Sequence, residues 1–333
     1  MGCILLWVRM PDVMSPSHWS RLFRGTALCV LGFTVILLEL CGSHLLRVEV
    51  ADASPTCFQN PTAASGAAEQ ETIVDKTPDE LVRALPELAG LEPAQGQEIL
   101  PVVLKKVGEN VEAYFRNFLS TTALEETVQQ RLRLDGNVEE TFRQEYRYLV
   151  VTHPGNGPMD WDEYRADKEG RPVGTTAQGG ALLTARFFYV PIYLHSQYQE
   201  DSDFSYLGQQ NVDGHKCHVI AFAQSPDTAR LKVTLTEGLV SYKVFLQGLA
   251  WIDATSYQII RMYTELLPDL SVRAIKKQTT EVTFGEVHFK RIDVSFWLPR
   301  EVVVNTDWSG RKFRNYHRYS GYQLYSSETK LIY

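Results

Sequence analysis

The chain has 333 residues, a formal net charge of −7, 44% hydrophobic residues and 11% aromatic ones. Lys and Arg are scattered through this acidic chain, which excludes nucleic acid as a partner, because that footprint needs a basic patch or stripe to neutralise phosphates. The densest basic pairs, Lys276-Lys277 and Arg311-Lys312, read as solvated loop ends, and the length suits one large sheet-rich domain or two smaller ones.

Residues 1–53 read as a targeting segment. Arg21 and Arg24 precede the apolar run Gly25–Leu38, and Ala51-Asp52-Ala53 offers a small-x-small cleavage site. The run is shorter than the ~20 apolar residues of a spanning helix, and Glu39 interrupts it, so a cleaved signal peptide is favoured over a signal anchor that keeps the segment at the membrane. An exported chain in the periplasm or cell envelope follows. Cys3, Cys29 and Cys41 lie in or near this segment; Cys57 and Cys217 remain, to pair in an oxidising compartment or stay free.

Residues 54–76 mix Pro, Ala, Ser, Gly, Gln and Glu and predict a flexible linker. Thr77-Pro78-Asp79-Glu80 then opens a short helix, with Thr77 as N-cap, Pro78 in the first turn and Glu80 closing a capping box. One domain is expected over 77–333. A second helix, Gln97–Phe118, carries Leu100, Val103, Leu104, Val107, Val111, Tyr114, Phe115 and Phe118 at intervals of three and four, a stripe that must bury against a sheet face.

From Leu124 the apolar period becomes two. Strands are predicted at 124–134 and 138–151 around the turn Asp135-Gly136-Asn137, and at 185–195, 203–212, 215–223 and 230–236, with Asp213-Gly214 as a second hairpin turn. Val240–Leu246, Leu249–Asp253 and Tyr257–Leu266 follow, the last two joined by the polar turn Asp253–Ser256, and then 279–289, 292–304 and 311–326. Residues 152–182 lose periodicity and predict a long loop. The pattern is mainly β (α+β): a curved antiparallel sheet or half-barrel of about ten strands, with the N-terminal amphipathic helix on its concave face.

Catalytic signatures are missing from the sequence: there is no G-x-S-x-G elbow, no H-E-x-x-H and no phosphate-binding glycine loop. His215 and Cys217 would share one strand face and His218 the other, short of a metal-ligand set. The carboxylate groups Glu125-Glu126, Glu139-Glu140 and Asp160/Asp162/Glu163 read as solvated. The expectation is a protein without catalytic residues, metal or cofactor.

Aromatic side chains carry the remaining signal. Phe142, Tyr146 and Tyr148 share one face of a strand, and Phe187, Tyr189, Phe204, Tyr206, Phe245 and Trp251 alternate on later ones. They make either a packed core between helix and sheet or the wall of an incompletely filled apolar cavity, with Arg261 and Tyr263 as polar groups at its rim.

The strand Gly248-Leu249-Ala250-Trp251-Ile252-Asp253, a turn with Thr255, and then Ile259-Ile260-Arg261 resemble the periplasmic outer-membrane lipoprotein carrier (LolA-like) superfamily. Phe284, Trp297-Leu298-Pro299 and Tyr316–Tyr322 further resemble uncharacterised exported bacterial relatives of that group. The resemblance covers about Gln97 to Ser326. It implies a half-open barrel whose apolar concave face holds acyl chains, so the expected partner is a lipid or lipoprotein acyl chain, with membrane contact through the N-terminal segment. The alternative is an exported interaction or scaffold domain with a filled core, whose partner is an envelope protein. A third reading, an enzyme, would need His153, His215, Cys217 or His317 to converge with a carboxylate in a cleft.

Overall fold

A computed structural model of the chain describes residues 46–50, 71–153, 160–173, 186–237, 240–267 and 275–325, all within one compact unit that spans 42–333. Residues 1–45 and 51–53 of the predicted targeting segment, most of the predicted linker and Cys57 lie outside the described residues, while Leu46–Val50, inside the predicted 1–53 segment, forms a strand paired with Leu231–Leu235. Short polar turns and period-two alternation give β1 (Leu46–Val50), β2 (Glu92–Pro93), β3 (Thr121–Leu132), β4 (Val138–Thr152), β5 (Trp161–Ala166), β6 (Ser202–Val212) and β7 (His215–Gln224). The later strands are β8 (Leu231–Glu237), β9 (Val240–Val244), β10 (Leu246–Asp253), β11 (Ile259–Leu266), β12 (Ile275–Phe289), β13 (Val294–Trp308) and β14 (Arg311–Leu324). Two α-helices, α1 (Pro78–Ala84) and α2 (Leu100–Asn117), precede the main run of strands.

Eleven strands form one sheet in the order β2-β6-β7-β10-β11-β12-β13-β14-β3-β4-β5, and β1, β8 and β9 form a separate small one. Their pairings are antiparallel. The large sheet does not close, and its length shows how strongly it curves. Nine strand-to-strand steps separate β6 from β5, about 43 Å if the sheet were flat. Yet the 18-residue α2, about 27 Å long, reaches both: just before its start Gln97 is hydrogen-bonded in both directions to the backbone of Tyr206 on β6, at 2.7 and 2.9 Å, and near its end Phe115 lies 4.9 Å from the Trp161 ring of β5. The half-barrel therefore wraps around the helix, as the sequence predicts.

Val103, Val107, Val111 and Phe115 form the buried stripe of α2. Gly108 sits on the same stripe, where a Cβ would come within 2.7 Å of Ser196 Oγ and Gln199 Nε2. The bare backbone there lets a second element close over the interior. That element is 187–201, two consecutive 3₁₀ segments, Phe187–Leu194 and Ser196–Asp201. The sequence predicts a strand at 185–195. The reason for the difference is that Phe187–Leu194 is apolar throughout, so it carries no period, and Pro191 lacks the N–H that a strand ladder would use.

The opposite face of the sheet is covered by the chain from Ile73 to Leu91. Ile73, Leu81 and Leu88 pack there against Leu207, Cys217, Val219, Leu249, Trp251 and Ile260. Ile73 is already buried and its N–H donates to Gln247 Oε1 at 2.8 Å, so the packed chain begins inside the predicted linker. The Thr77–Glu80 capping box forms as the sequence requires. Strand β5 lies within the predicted 152–182 loop; its centre carries Glu163 and Arg165, which hide the alternation, and 154–159 and 174–182 are outside the described residues. Past β5 the chain turns at 167–171 and returns beside it, with Pro172 opposite Ala166 and Val173 N–H donating to Arg165 O.

Candidate functional site

On the concave face, α2 and the 187–194 segment meet side chains from strands across the sheet, including Ile220, Phe222, Met262, Val282, Leu298 and Val302. The aromatic groups pack closely: Phe118 stacks on Trp161 at 4.4 Å, Tyr148 on Phe188 at 5.8 Å and Tyr193 on Phe222 at 5.9 Å. Backbone ties hold the cover. Tyr114 Oη donates to Phe188 O at 3.2 Å, Tyr189 Oη exchanges hydrogen bonds with the backbone of Trp161, and Gln199 Nε2 donates to both Leu104 O and Leu194 O.

At the β14-β3-β4-β5 end of this face the interior turns polar. Alternation along Thr121, Ala123, Glu125, Thr127 and Gln129 points Glu125 inward, and it is 0% exposed. Arg165 of β5 donates to both its oxygens, one bond being 2.7 Å, while His317 Nδ1 and Tyr319 Oη of β14 each lie 2.8 Å from Oε1. Burial alone would raise the Glu125 carboxyl; the Arg165 guanidinium and the bonds from Arg165 and His317 override it and hold the pKa at about 2. Burial pushes the His317 pKa down, opposed by Glu125. Next to this group Tyr148 and the Arg186 N–H donate to Glu163 Oε2, and Glu163 Oε1 is buried without a hydrogen-bond partner among the described residues. Burial raises the Glu163 pKa against those bonds.

The sequence groups Glu125 with Glu126 as solvated; the structure corrects this, since only Glu126 faces out. Inward period-two placement of Glu125 with Ala123, and of His317 with Tyr319 and Phe313, was the available signal.

The aromatic residues expected to line a cavity divide between the faces. Tyr148, Phe187, Tyr189 and Tyr206 are buried in the interior, and Phe204 packs against it. Tyr146 is buried on the same face of β4, bonded to Gln144, with Phe142 half-buried further along. Phe245 lies half-buried between β9 and β10. Trp251 and Tyr263, however, belong to the opposite cluster, and Arg261 stands 4.1 Å over the Trp251 ring. Trp251 Nε1 donates to Gln210 Oε1 at 2.7 Å. Both faces of β7 and β10 are buried, so alternation fixes which residues go together but not which set faces inward.

Of the histidine and cysteine cluster, His215 pairs with Asp253 at 2.9 Å, Cys217 is a free buried thiol whose pKa burial pushes up to about 12, and His218 points the other way, 3.0 Å from Tyr206 Oη. His153 pairs with Asp162 at 2.8 Å. Among the described residues no group of three or more His, Cys, Asp or Glu could hold a metal ion, and no helix is long and apolar enough to cross a membrane.

No known family model matches the chain. None of the curated proteins matches it. Similar solved structures include a DUF1329 family protein from Desulfovibrio piger, at 12% identity over 69% of this chain and 94% of that one with a TM-score of 0.34. MucA/MucB of Pseudomonas aeruginosa is another, at 11% identity over 68% of this chain and 100% of that one with a TM-score of 0.18. They also include an outer membrane lipoprotein-sorting protein domain from Vibrio parahaemolyticus, at 13% identity over 68% of this chain and 94% of that one with a TM-score of 0.36, so a protein of the kind that the Gly248–Asp253 segment resembles stands among the solved structures to which this chain is similar.

Proposed function

We propose that the chain is an exported, non-enzymatic envelope protein that takes an acyl chain of a lipid or lipoprotein between its curved sheet and the 187–201 cover, acting as carrier or sensor. The observation that supports this most is the kind of cover the interior has. Residues 187–201 are held by short-range 3₁₀ bonds and a few side-chain ties, so they can lift from the concave face without breaking any strand ladder. What they would uncover is mainly aromatic and aliphatic, with the Glu125–Arg165–His317 group under Phe187 at one end, and acyl methylenes burying against the apolar part gain about 0.8 kcal/mol each.

A second reading, an interaction domain with a filled core, is favoured by the close ring packing of Phe118, Trp161, Tyr148 and Phe188. Native mass spectrometry of the protein purified from an exporting host, followed by organic extraction, separates the two. A stoichiometric lipid or acylated peptide supports the acyl-binding reading. A mass that stays free of ligand after incubation with lipid vesicles overturns it in favour of the filled core.

A further inference from the structure

The two basic pairs that stand out in the sequence, Lys276-Lys277 and Arg311-Lys312, are far apart in the chain and adjacent in the fold. In register, Ile275 pairs with Trp308 and Lys277 with Asp307; across the next strand Trp308 pairs with Arg311 and Asp307 with Lys312; and Lys312 pairs with Leu132 of β3. The start of β12, the β13–β14 turn and the β3–β4 turn thus lie side by side at one end of the half-barrel. The β3–β4 turn adds Arg133 and Leu134. Arg133 N–H donates to Asn137 O and Gly136 N–H to Arg133 O, Gly136 takes φ +86°, and Asp135 Oδ1 accepts from Asn137 N–H, which fixes a tight loop with Leu134 at its apex.

Leu134 is 79% exposed, and Val138, opposite Leu132 at the base of the turn, is 46% exposed. Around them Arg133, Lys276, Lys277 and Arg311 are exposed and Lys312 half-buried. The acids between these cations are fewer: Asp135, occupied by the turn, Asp307, and Glu265 at 3.9 Å from Lys277. Arg131 is paired with Glu139 and Glu140 at 2.9 Å each. Arg131 included, six cations stand against five acids among the described residues of this end, a small positive excess in a chain of net charge −7, and the end carries an apolar apex.

We infer that this end of the half-barrel is a docking surface for an anionic phospholipid membrane, with Leu134 entering the acyl boundary and Lys276, Lys277, Arg311, Lys312 and Arg133 at the level of the phosphates. The order of the groups supports a bilayer over an acidic protein: the apolar side chain is at the extremity and the cations stand behind it, as the layers of a leaflet require. The inference adds a membrane surface to the acyl-binding reading and stands whether or not the interior takes a ligand.

The test is vesicle flotation of the full chain with phosphatidylcholine alone and with phosphatidylcholine containing phosphatidylglycerol. The readout is the increment that anionic lipid adds, compared between variants that share the same N-terminal segment, so that whatever residues 1–53 contribute is common to all of them. We expect that increment to disappear at about 0.5 M salt and to fall about tenfold or more in Lys276→Glu/Lys277→Glu/Arg311→Glu/Lys312→Glu. Leu134→Asn should weaken binding severalfold, and Lys290→Glu/Arg291→Glu, at the opposite end of the same strands, should leave it unchanged. Circular dichroism verifies that each variant is folded. An anionic increment that is absent, that survives the four-site reversal, or that falls equally in the Lys290/Arg291 control overturns the proposal, as does binding of the same end to an acidic protein in preference to the vesicles.

Discussion

Arg165 reaches from near the margin of the sheet across β4 to grip both carboxylate oxygens of Glu125, so two charges that are almost entirely buried face each other in the interior. Burying such a pair costs desolvation on both sides, and what keeps it is complete mutual satisfaction, to which His317 and Tyr319 contribute. Arg165→Met should destabilise the protein by about 3–5 kcal/mol in urea unfolding, because it strands the Glu125 charge. The double variant Glu125→Gln/Arg165→Met should cost clearly less than the sum of the singles. Strict additivity would show that the two charges do not depend on each other.

Acid should loosen the protein in two stages. Burial lowers the pKa of His195, whose Nδ1 accepts the Gln197 N–H between the two 3₁₀ segments, with Glu112 opposing and Arg116 reinforcing that shift. Burial likewise lowers His218 and His317. Each binds a proton less readily in the folded state than in the unfolded one, so its contribution is fully present above the unfolded value of about 6.5 and is lost as pH falls below it. Glu125 and Asp253, held at about 2, contribute above about 4.5 and are lost as pH falls toward 2. Glu163 and Glu281, raised by burial, have the opposite sign and favour the folded state at low pH. Thermal unfolding between pH 7.5 and 5 should show the first stage, and His195→Gln should flatten it; an unchanged slope in that variant would remove His195 from the account.

The joint between α2 and the cover is testable at Gly108. A branched side chain there must displace Ser196 and Gln199, and with them the bonds from Gln199 to Leu104 O and Leu194 O. Gly108→Val should cost about 1–3 kcal/mol and accelerate hydrogen exchange selectively in 187–201. Uniform acceleration over the whole sheet would mean that the cover does not move as a unit.

Trp251 offers a control that separates stability from binding. Trp251→Phe removes the indole bond to Gln210 and weakens the Arg261 stacking, and about 1–3 kcal/mol should be lost. Acyl binding in the interior should be unaffected, since this ring lies on the far face. A large drop in bound lipid with little loss of stability would place the ligand on that face instead.

The helices, the hairpin turns and most strands are legible in the sequence because each has local cause: the Thr77–Glu80 capping box, the α2 stripe, the Asp213-Gly214 and Asp135–Asn137 turns. The 187–194 cover is not, since a segment buried nearly all round carries no periodicity. Nor is the side of the sheet that Trp251 takes, because β10 is apolar on both faces. The Glu125–Arg165–His317–Tyr319 group is obscured for a different reason. Its members stand on three strands far apart in sequence, and a buried carboxylate looks like an exposed one until its partners are placed around it.

Both margins of the large sheet end on a residue that cannot donate a backbone hydrogen bond: Pro93 in the two-residue β2 at one side and Pro172, folded back against β5, at the other. An open sheet of eleven strands ordinarily offers its edges as templates on which a foreign strand can polymerise. Here β2 is two residues long and the far margin is met by Pro172, so neither outermost segment offers a long regular ladder to a foreign strand. At these two margins, what docks must read side chains more than backbone.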